Sequence, residues 1–213
     1  PVDNLISERL ALTVTIAFTS MIFIWAVSFP IAIYSATHQY SIGDYVFTFL
    51  GFIGMAVPGF LLALVLMYVA ITKFSFSATG LFSPEYVDAP WSWAKIWDMF
   101  QRLWVPIIVI GISGTAALIR VMRGTLLDEL RKQYVTTARA KGVSERKLLF
   151  KYPVRIAINP MISTIGWLLP GIVSGSAIVS IVLNLPTAGP AMWSSLMGQD
   201  MYLAGSYILI IGA

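Results

Sequence analysis

Long uncharged apolar runs constrain this chain more than any other feature of its sequence. They extend over residues 10–42, 45–72, 103–119 and 156–199, and from 201 to the end. A helix that crosses a bilayer needs about 20 mostly apolar residues. Lipid offers no hydrogen-bond partner to a backbone group, so such segments cross the membrane as helices or closed barrels. The runs predict an all-α, polytopic membrane protein.

The boundaries of the runs define a single predicted transmembrane domain over residues 1–213. We place the predicted spans at about residues 10–35, 46–71, 103–122, 160–183 and 201–213, the last of them truncated. Two longer connections, residues 74–102 and 184–200, are expected on the outer side, and residues 123–159 form a third connection. The chain begins at Pro1 without Met and ends inside an apolar run. We therefore expect a fragment that lacks a membrane helix before Pro1 and the rest of one after Ala213.

The charge is concentrated in one segment, residues 120–155, called the basic segment below. It holds ten of the fourteen Lys and Arg residues and three of the ten acidic residues, which gives it a net charge of +7. Lys and Arg in short loops set the orientation of membrane proteins. We therefore expect this segment to be cytoplasmic. No base-stacking aromatic residues alternate with these cations, so a nucleic-acid partner is not expected.

The local pattern of the basic segment predicts two helices joined by a glycine. Thr125 and Asp128 have the spacing of a capping box, and Gly142 suits the left-handed position that ends a helix. Ser144 can cap a second, short helix. Apolar residues at helical spacing form a stripe on the first helix: Leu127, Leu130, Tyr134 and Ala138. The result would be a helix–glycine–helix elbow outside the membrane.

Residues 133–147, QYVTTARAKGVSERK, carry a resemblance to a known family. They resemble the EAA loop of bacterial ABC-importer permeases, and most closely that of the dipeptide, oligopeptide and nickel branch. Similar flanking features are Glu8-Arg9-Leu10, Pro58-Gly59-Phe60, Leu185-Pro186-x-x-Gly189 and Asp200. The sequence WSWAKIWDMF resembles the Yej-like subgroup of first permease subunits. Thr136-Thr137-Ala138 stands where the general pattern has Glu-Ala-Ala.

The resemblance implies a type I ABC-importer permease of the MetI-like kind, a helix bundle with a cytoplasmic EAA coupling loop. The short helix at residues 144–150 would be the coupling helix, seated in a cleft of a cytoplasmic ATPase subunit. The residues implied in ATPase coupling are Thr137, Ala138, Arg139, Ala140, Lys141, Gly142, Ser144, Glu145, Arg146 and Lys147.

The same resemblance implies a location in the bacterial inner membrane, and it implies the partners. They are a second homologous permease subunit, cytoplasmic ABC ATPase subunits and a periplasmic or lipid-anchored substrate-binding protein, all assembled in membrane lipid. The chain has no G-x-x-x-x-G-K-[ST] motif, so it has no P-loop of its own for ATP. We expect no cofactor on this chain, with ATP and Mg bound by the partner ATPase.

Two other classes of function remain open from the residues alone. A secondary carrier or passive channel would work without an ATPase, but carriers usually keep ionisable residues within their spans, and the central parts of these runs contain none. A membrane enzyme or scaffold is the other, although no cluster of catalytic or metal-binding residues is visible.

His38, the single histidine, is expected to be an ordinary exposed residue and not a metal ligand. The Gly171-x-x-x-Gly175 pair predicts a face for helix packing.

Overall fold

The computed structural model describes residues 2–74, 79–87 and 89–212, apart from the side chains of residues 2–4, 74, 167–169 and 212. The described residues form helices and connecting turns, without a strand among them, which confirms the all-α prediction. The helices are α1 Val2–Thr37, α2 Ile42–Ala56, α3 Gly59–Phe74, α4 Trp93–Leu130, α5 Gln133–Ala140, α6 Glu145–Lys151, α7 Pro153–Val182, α8 Ala188–Met197 and α9 Met201–Gly212.

Two of these helices, α1 from Leu5 and α4, are by themselves long and apolar enough to cross a membrane. The number rises to four if two bent helix pairs each count as one span, namely Ile42–Ala56 with Gly59–Lys73 and Glu145–Gly166 with Pro170–Val182. Val57 and Pro58 separate α2 from α3, because proline lacks an N–H and disfavours a helical residue before it. Helix α9 is apolar but shorter. The predicted total of five spans stays a prediction.

Helix α4 differs from its prediction at both ends. The third span was placed at 103–122, whereas the helix covers Trp93–Leu130. Thr125 therefore does not begin a helix, and its Oγ1 donates to the Val121 carbonyl one turn earlier inside α4. Charged residues mark where a helix leaves the lipid, and a helix can continue well beyond that point. The break comes later, at residues 131–132.

The chain divides into two compact units, and unit 1 consists of Pro1–Phe23, Val57–Gly111 and Leu169–Ala213. One of its apolar clusters includes Leu12, Ala63, Leu103, Val109 and Leu183. A smaller cluster joins Ile6, Ala188 and Tyr207. Beside it, the buried Ala188 N–H donates to Thr13 Oγ1 at 2.9 Å, which fixes the start of α8 against α1. Both clusters assemble helices from distant parts of the sequence.

A network of polar contacts in unit 1 ties the residues before α4 to its first turns. The Asp98 carboxylate accepts from the Ser83 N–H at 2.6 Å and also from its hydroxyl, while Arg102 Nη2 donates to Ser83 Oγ at 2.9 Å. Lys95 is buried, and its Nζ donates to the carbonyls of Val87 and Ala89. Part of the predicted 74–102 loop is thus an ordered extension of α4, while residues 75–78 and 88 lie outside the described residues.

Unit 2 consists of Ile24–Ala56 and Ile112–Leu168. Close helix packing here depends on glycine, because a Cβ on Gly114 would lie 2.7 Å from Ile24 Cδ1. The turn between α1 and α2 is organised by Asp44, whose N–H donates to Ser41 Oγ at 3.2 Å and whose carboxylate accepts from the Tyr40 N–H at 3.0 Å. Serine at the N-cap with an acid three residues later is a variant of the capping box.

Candidate functional site: the elbow

Residues 131–152, in unit 2, form the predicted helix–glycine–helix arrangement and are called the elbow. Helix α5 ends in a Schellman motif: the Gly142 N–H donates to the Arg139 carbonyl at 3.0 Å, and the Val143 N–H to the Ala138 carbonyl at 3.3 Å. Gly142 has φ +76°, which confirms its predicted left-handed conformation. The chain therefore reverses within two residues and enters α6 directly.

A small apolar cluster holds the two short helices together. Val135, Ala138 and Leu148 are buried, and they pack with the partly buried Tyr134, Val143 and Tyr152. Leu148 is 1% exposed although its helix has only seven residues. Helices this short are marginal in water on their own. The elbow is therefore a packed unit whose geometry depends on Leu148 and the residues that surround it.

An exposed ion pair links the two helices of the elbow. Arg139 donates from Nε to Glu145 Oε1 and from Nη2 to Glu145 Oε2, the latter at 3.0 Å. The hydrogen bonds to Glu145, reinforced by its charge, raise the pKa of Arg139 above its ordinary value. Both side chains are exposed, so the pair adds little stability. Its two hydrogen bonds join the last turn of α5 to the first turn of α6.

Tyr134 connects the elbow to the end of α4. Its hydroxyl donates to Glu129 Oε2 at 2.6 Å. Burial, together with the hydrogen bond to Glu129 and the negative charge of that residue, raises the pKa of Tyr134 to about 12. The phenol therefore stays protonated and keeps donating throughout the physiological pH range. The Tyr134 and Tyr152 rings lie 6.4 Å apart, so the same side chain also reaches the far end of α6.

The elbow presents nearly all of the sequence-predicted coupling residues to solvent. The exposed ones are Thr137, Arg139, Ala140, Lys141, Gly142, Ser144, Glu145, Arg146 and Lys147. Ala138 differs, because it is 8% exposed and its small side chain serves the internal packing of the elbow. Ser144 occupies the N-cap position of α6, but its side chain makes no capping hydrogen bond. The expected backbone position is thus confirmed and the expected hydroxyl cap is wrong.

Sequence reasoning missed an ion pair of unit 2 that joins the buried Asp44 to Arg123. Arg123 donates from Nε to Asp44 Oδ1 at 3.0 Å and from Nη2 to Oδ2 at 2.8 Å. The Asp44 side chain is 4% exposed and that of Arg123 26%. One signal was available, because Asp44 is the single acidic residue between Glu8 and Glu85. A buried carboxylate requires a partner.

The predicted helix-packing glycines have no partner helix among the described residues. A Cβ on Gly171 or on Gly175 would meet nothing within 4 Å. The close approach in this part of unit 1 is instead at Gly189, where a Cβ would lie 2.9 Å from Ala177 Cα. Packing through Gly171 and Gly175 thus stays a prediction about a surface that other chains could cover.

The predicted connection 74–102 lies against the end of the predicted fourth span in unit 1. The Gly80 N–H donates to the Leu183 carbonyl at 2.8 Å. Residues from both predicted outer connections, 74–102 and 184–200, line a cavity of about 540 Å³, and two of its lining residues, Arg9 and Arg102, are cationic.

His38, in unit 2, is exposed and stacks on Tyr34 with 4.7 Å between ring centroids.

Replacing Gly142 by alanine is expected to destabilise the elbow by about 1 kcal/mol, because an L residue is strained in the left-handed region. The effect is conformational, since a Cβ there would meet nothing within 4 Å. Gly124→Ala is the matched control: its Cβ also meets nothing, but Gly124 is helical, and alanine should stabilise by roughly 1 kcal/mol. Hydrogen exchange of the α5 and α6 amides measures the first effect, and equal responses of the two variants would contradict it.

The helices and the elbow define the class of protein: a polytopic helical membrane protein with a packed polar unit outside its apolar segments. The chain belongs to the family described as "Binding-protein-dependent transport system inner membrane component", which matches residues 28–213. The family bears out the resemblance seen in the elbow sequence and the expected MetI-like permease fold. It also bears out localisation in a membrane.

Curated relatives give the same result. The chain is similar to the oligopeptide transport system permease protein AppB of Bacillus subtilis (strain 168), with 32% identity over 100% of this chain and 67% of the relative. It is also 32% identical to the inner membrane ABC transporter permease protein YejB of Escherichia coli O157:H7, over 98% of this chain and 57% of the relative. The chain therefore spans roughly three fifths to two thirds of the length of these relatives.

Proposed function

We propose that this chain is the membrane part of a permease subunit in an ATP-driven, binding-protein-dependent importer, and that the elbow couples it to a separate ATPase. The family supports the transport role, and two of the relatives are named as oligopeptide or ABC-transporter permeases. Peptides or similar small solutes are the proposed substrates. The permease itself is not an enzyme, since ATP and Mg are bound and ATP is hydrolysed on the partner chain.

One observation carries the coupling proposal: α6 is a short helix that is anchored on one side and open on the other. Leu148 is buried in the elbow core, while Glu145, Arg146 and Lys147 are exposed. A partner that binds this open face can displace α6 as a unit, because the helix is packed on the elbow core. Through the apolar cluster and the Tyr134–Glu129 hydrogen bond, that displacement reaches α5 and the end of α4.

The proposed orientation places the basic segment in the cytoplasm and the 74–102 and 184–200 connections on the outer side. The net charge of +7 on the basic segment supports this by the positive-inside rule. The cavity that both outer connections line in unit 1 supports a shared surface for a substrate-binding protein. A second permease subunit completes the proposed assembly. Partner ATPases that bind one conformation more tightly after ATP binding would then shift the population of transport states.

Reversing two charges on α6 tests this proposal. In the assembled importer, Arg146→Glu/Lys147→Glu should reduce ATPase association and substrate-stimulated ATP hydrolysis by at least tenfold, because several polar contacts to the partner are lost or become repulsive. The control is Arg131→Glu/Lys132→Glu, which makes the same charge change before α5. Unchanged hydrolysis in the α6 variant, or equal losses in both, would contradict coupling through α6. ATP-independent uptake would favour the carrier or channel alternative.

A further inference from the structure

We propose that a groove between α2 and α4 in unit 2 binds an anionic phospholipid. The groove encloses about 360 Å³, within the roughly 300–1,000 Å³ range of small-molecule sites. Its lining is apolar along most of its length and cationic at one end. The residues that line it are Phe47, Thr48, Gly51, Phe52, Met55, Ala116, Ile119, Arg120, Arg123 and Gly124.

Small residues form the floor of the groove and larger apolar ones its rim. A Cβ on Gly51 would lie 3.7 Å from the Ala116 Cβ, which is ordinary van der Waals contact, so the two helices are close here without filling the space above. Phe52 and Met55 stand beside this floor and are 53% and 48% exposed. A trough of this kind suits an extended hydrocarbon chain.

The cationic end of the groove carries one guanidinium that is neutralised and one that is not. Arg123 is paired with the buried Asp44 through two hydrogen bonds. Arg120 is exposed and lies over the Phe52 ring at 5.6 Å, and no described carboxylate forms an ion pair with it. A guanidinium is planar and binds phosphate with two parallel hydrogen bonds. Arg120 is therefore the group available for an anionic headgroup.

The position of the groove identifies the ligand as a membrane lipid. Arg120 lies where the apolar run 103–119 meets the basic segment. The cation is therefore at the end of a predicted membrane span, and the apolar part of the groove lies beside that span. Basic pockets between membrane helices on the cytoplasmic side bind anionic headgroups, and the proposed orientation puts Arg120 on that side. A soluble anion would leave the apolar walls uncovered, and a zwitterionic lipid would add its own cation beside Arg120.

The test uses the full-length permease in its importer complex, in detergent, with phosphatidylglycerol, phosphatidylcholine and inorganic phosphate as probes. Native mass spectrometry measures retained lipid. Phosphatidylglycerol should be retained over phosphatidylcholine, and Arg120→Gln should weaken its binding about tenfold, the effect of one charge-assisted contact. Arg120 is exposed, so this variant is expected to fold.

Two controls decide between the proposal and its competitors. Arg131→Gln removes the same charge from an exposed site outside the groove and should leave lipid retention unchanged. Gly51→Leu fills the trough and should reduce retention while Arg120 is intact. Equal losses in Arg120→Gln and Arg131→Gln would overturn the proposal in favour of general charge attraction. Displacement of the lipid by inorganic phosphate, or cross-linking of the groove to another protein chain, would overturn it as well.

Discussion

Replacing Arg123 by methionine is expected to lower the free energy of unfolding by about 3 kcal/mol, the lower part of the range for breaking a buried ion pair. The substitution removes both guanidinium donors to the Asp44 carboxylate, while the hydrogen bond from the Tyr40 N–H remains. The lower part of the range applies because Arg123 itself is partly exposed. Thermal unfolding of the permease in detergent measures the loss.

Two further variants separate the ion pair from simple loss of charge. Arg120→Met removes a cation that has no described carboxylate partner and should change stability by less than about 1 kcal/mol. The double variant Asp44→Asn/Arg123→Met leaves no unpaired buried charge and should recover most of the loss. If the single Arg123 variant were as stable as Arg120→Met, the pair would not hold the turn before α2 against α4.

Leu148→Ala is the second large effect we expect. Leu148 is 1% exposed and occupies the centre of the cluster that joins α5 to α6. Truncating such a side chain costs about 2–5 kcal/mol, which is large for a unit of two short helices. The elbow should then open locally, and hydrogen exchange of the α6 amides should speed up by at least about 30-fold, the equivalent of 2 kcal/mol.

The matched control is Leu149→Ala, the same change at the next position, where the side chain is only partly buried and does not belong to the cluster. It should produce a much smaller change in exchange. If the elbow couples the permease to an ATPase, stimulated ATP hydrolysis should also fall in Leu148→Ala and be largely preserved in Leu149→Ala. Equal exchange rates in both variants would show that the elbow does not depend on its apolar cluster.

The parts of the fold that were predictable from sequence depend on local chemistry. Uncharged runs identify membrane helices because lipid excludes charge, whatever the tertiary arrangement. Gly142 was predictable in the same way, because only glycine adopts the left-handed conformation without strain, and Gly142 directly follows a run of helix-forming residues. The sequence ARAKGVSERK was sufficient to indicate the family, which the comparison over residues 28–213 confirms.

Helix ends were predicted less well, for an identifiable reason. Thr125 and Asp128 have the spacing of a capping box, but α4 continues through both to Leu130. A threonine in a helix interior can return its hydroxyl hydrogen bond to the preceding turn, as Thr125 does to Val121. Sequence alone does not decide between these two uses of the same side chain. The extension of α4 beyond the predicted span settles it.

Contacts between distant segments were the part that could not be predicted. The spacing of Gly171 and Gly175 pointed to a packing face, yet the close approach in this part of unit 1 is at Gly189 against Ala177. That approach exists because α8 returns onto α7, which no local pattern encodes. The Asp44–Arg123 pair is similar: each residue is recognisable as a boundary charge, but their pairing requires α2 and α4 to be adjacent.

The Asp44–Arg123 pair also sets an order for the synthesis and insertion of the chain. The two residues are 79 positions apart, so α2 leaves the ribosome well before the arginine that neutralises its first turn. An unpaired carboxylate is costly to bury, so we expect the start of α2 to stay hydrated until α4 has been made. The turn between α1 and α2 should then become buried only after α4 arrives. Truncations that end before α4 should leave this turn accessible to water-soluble labels.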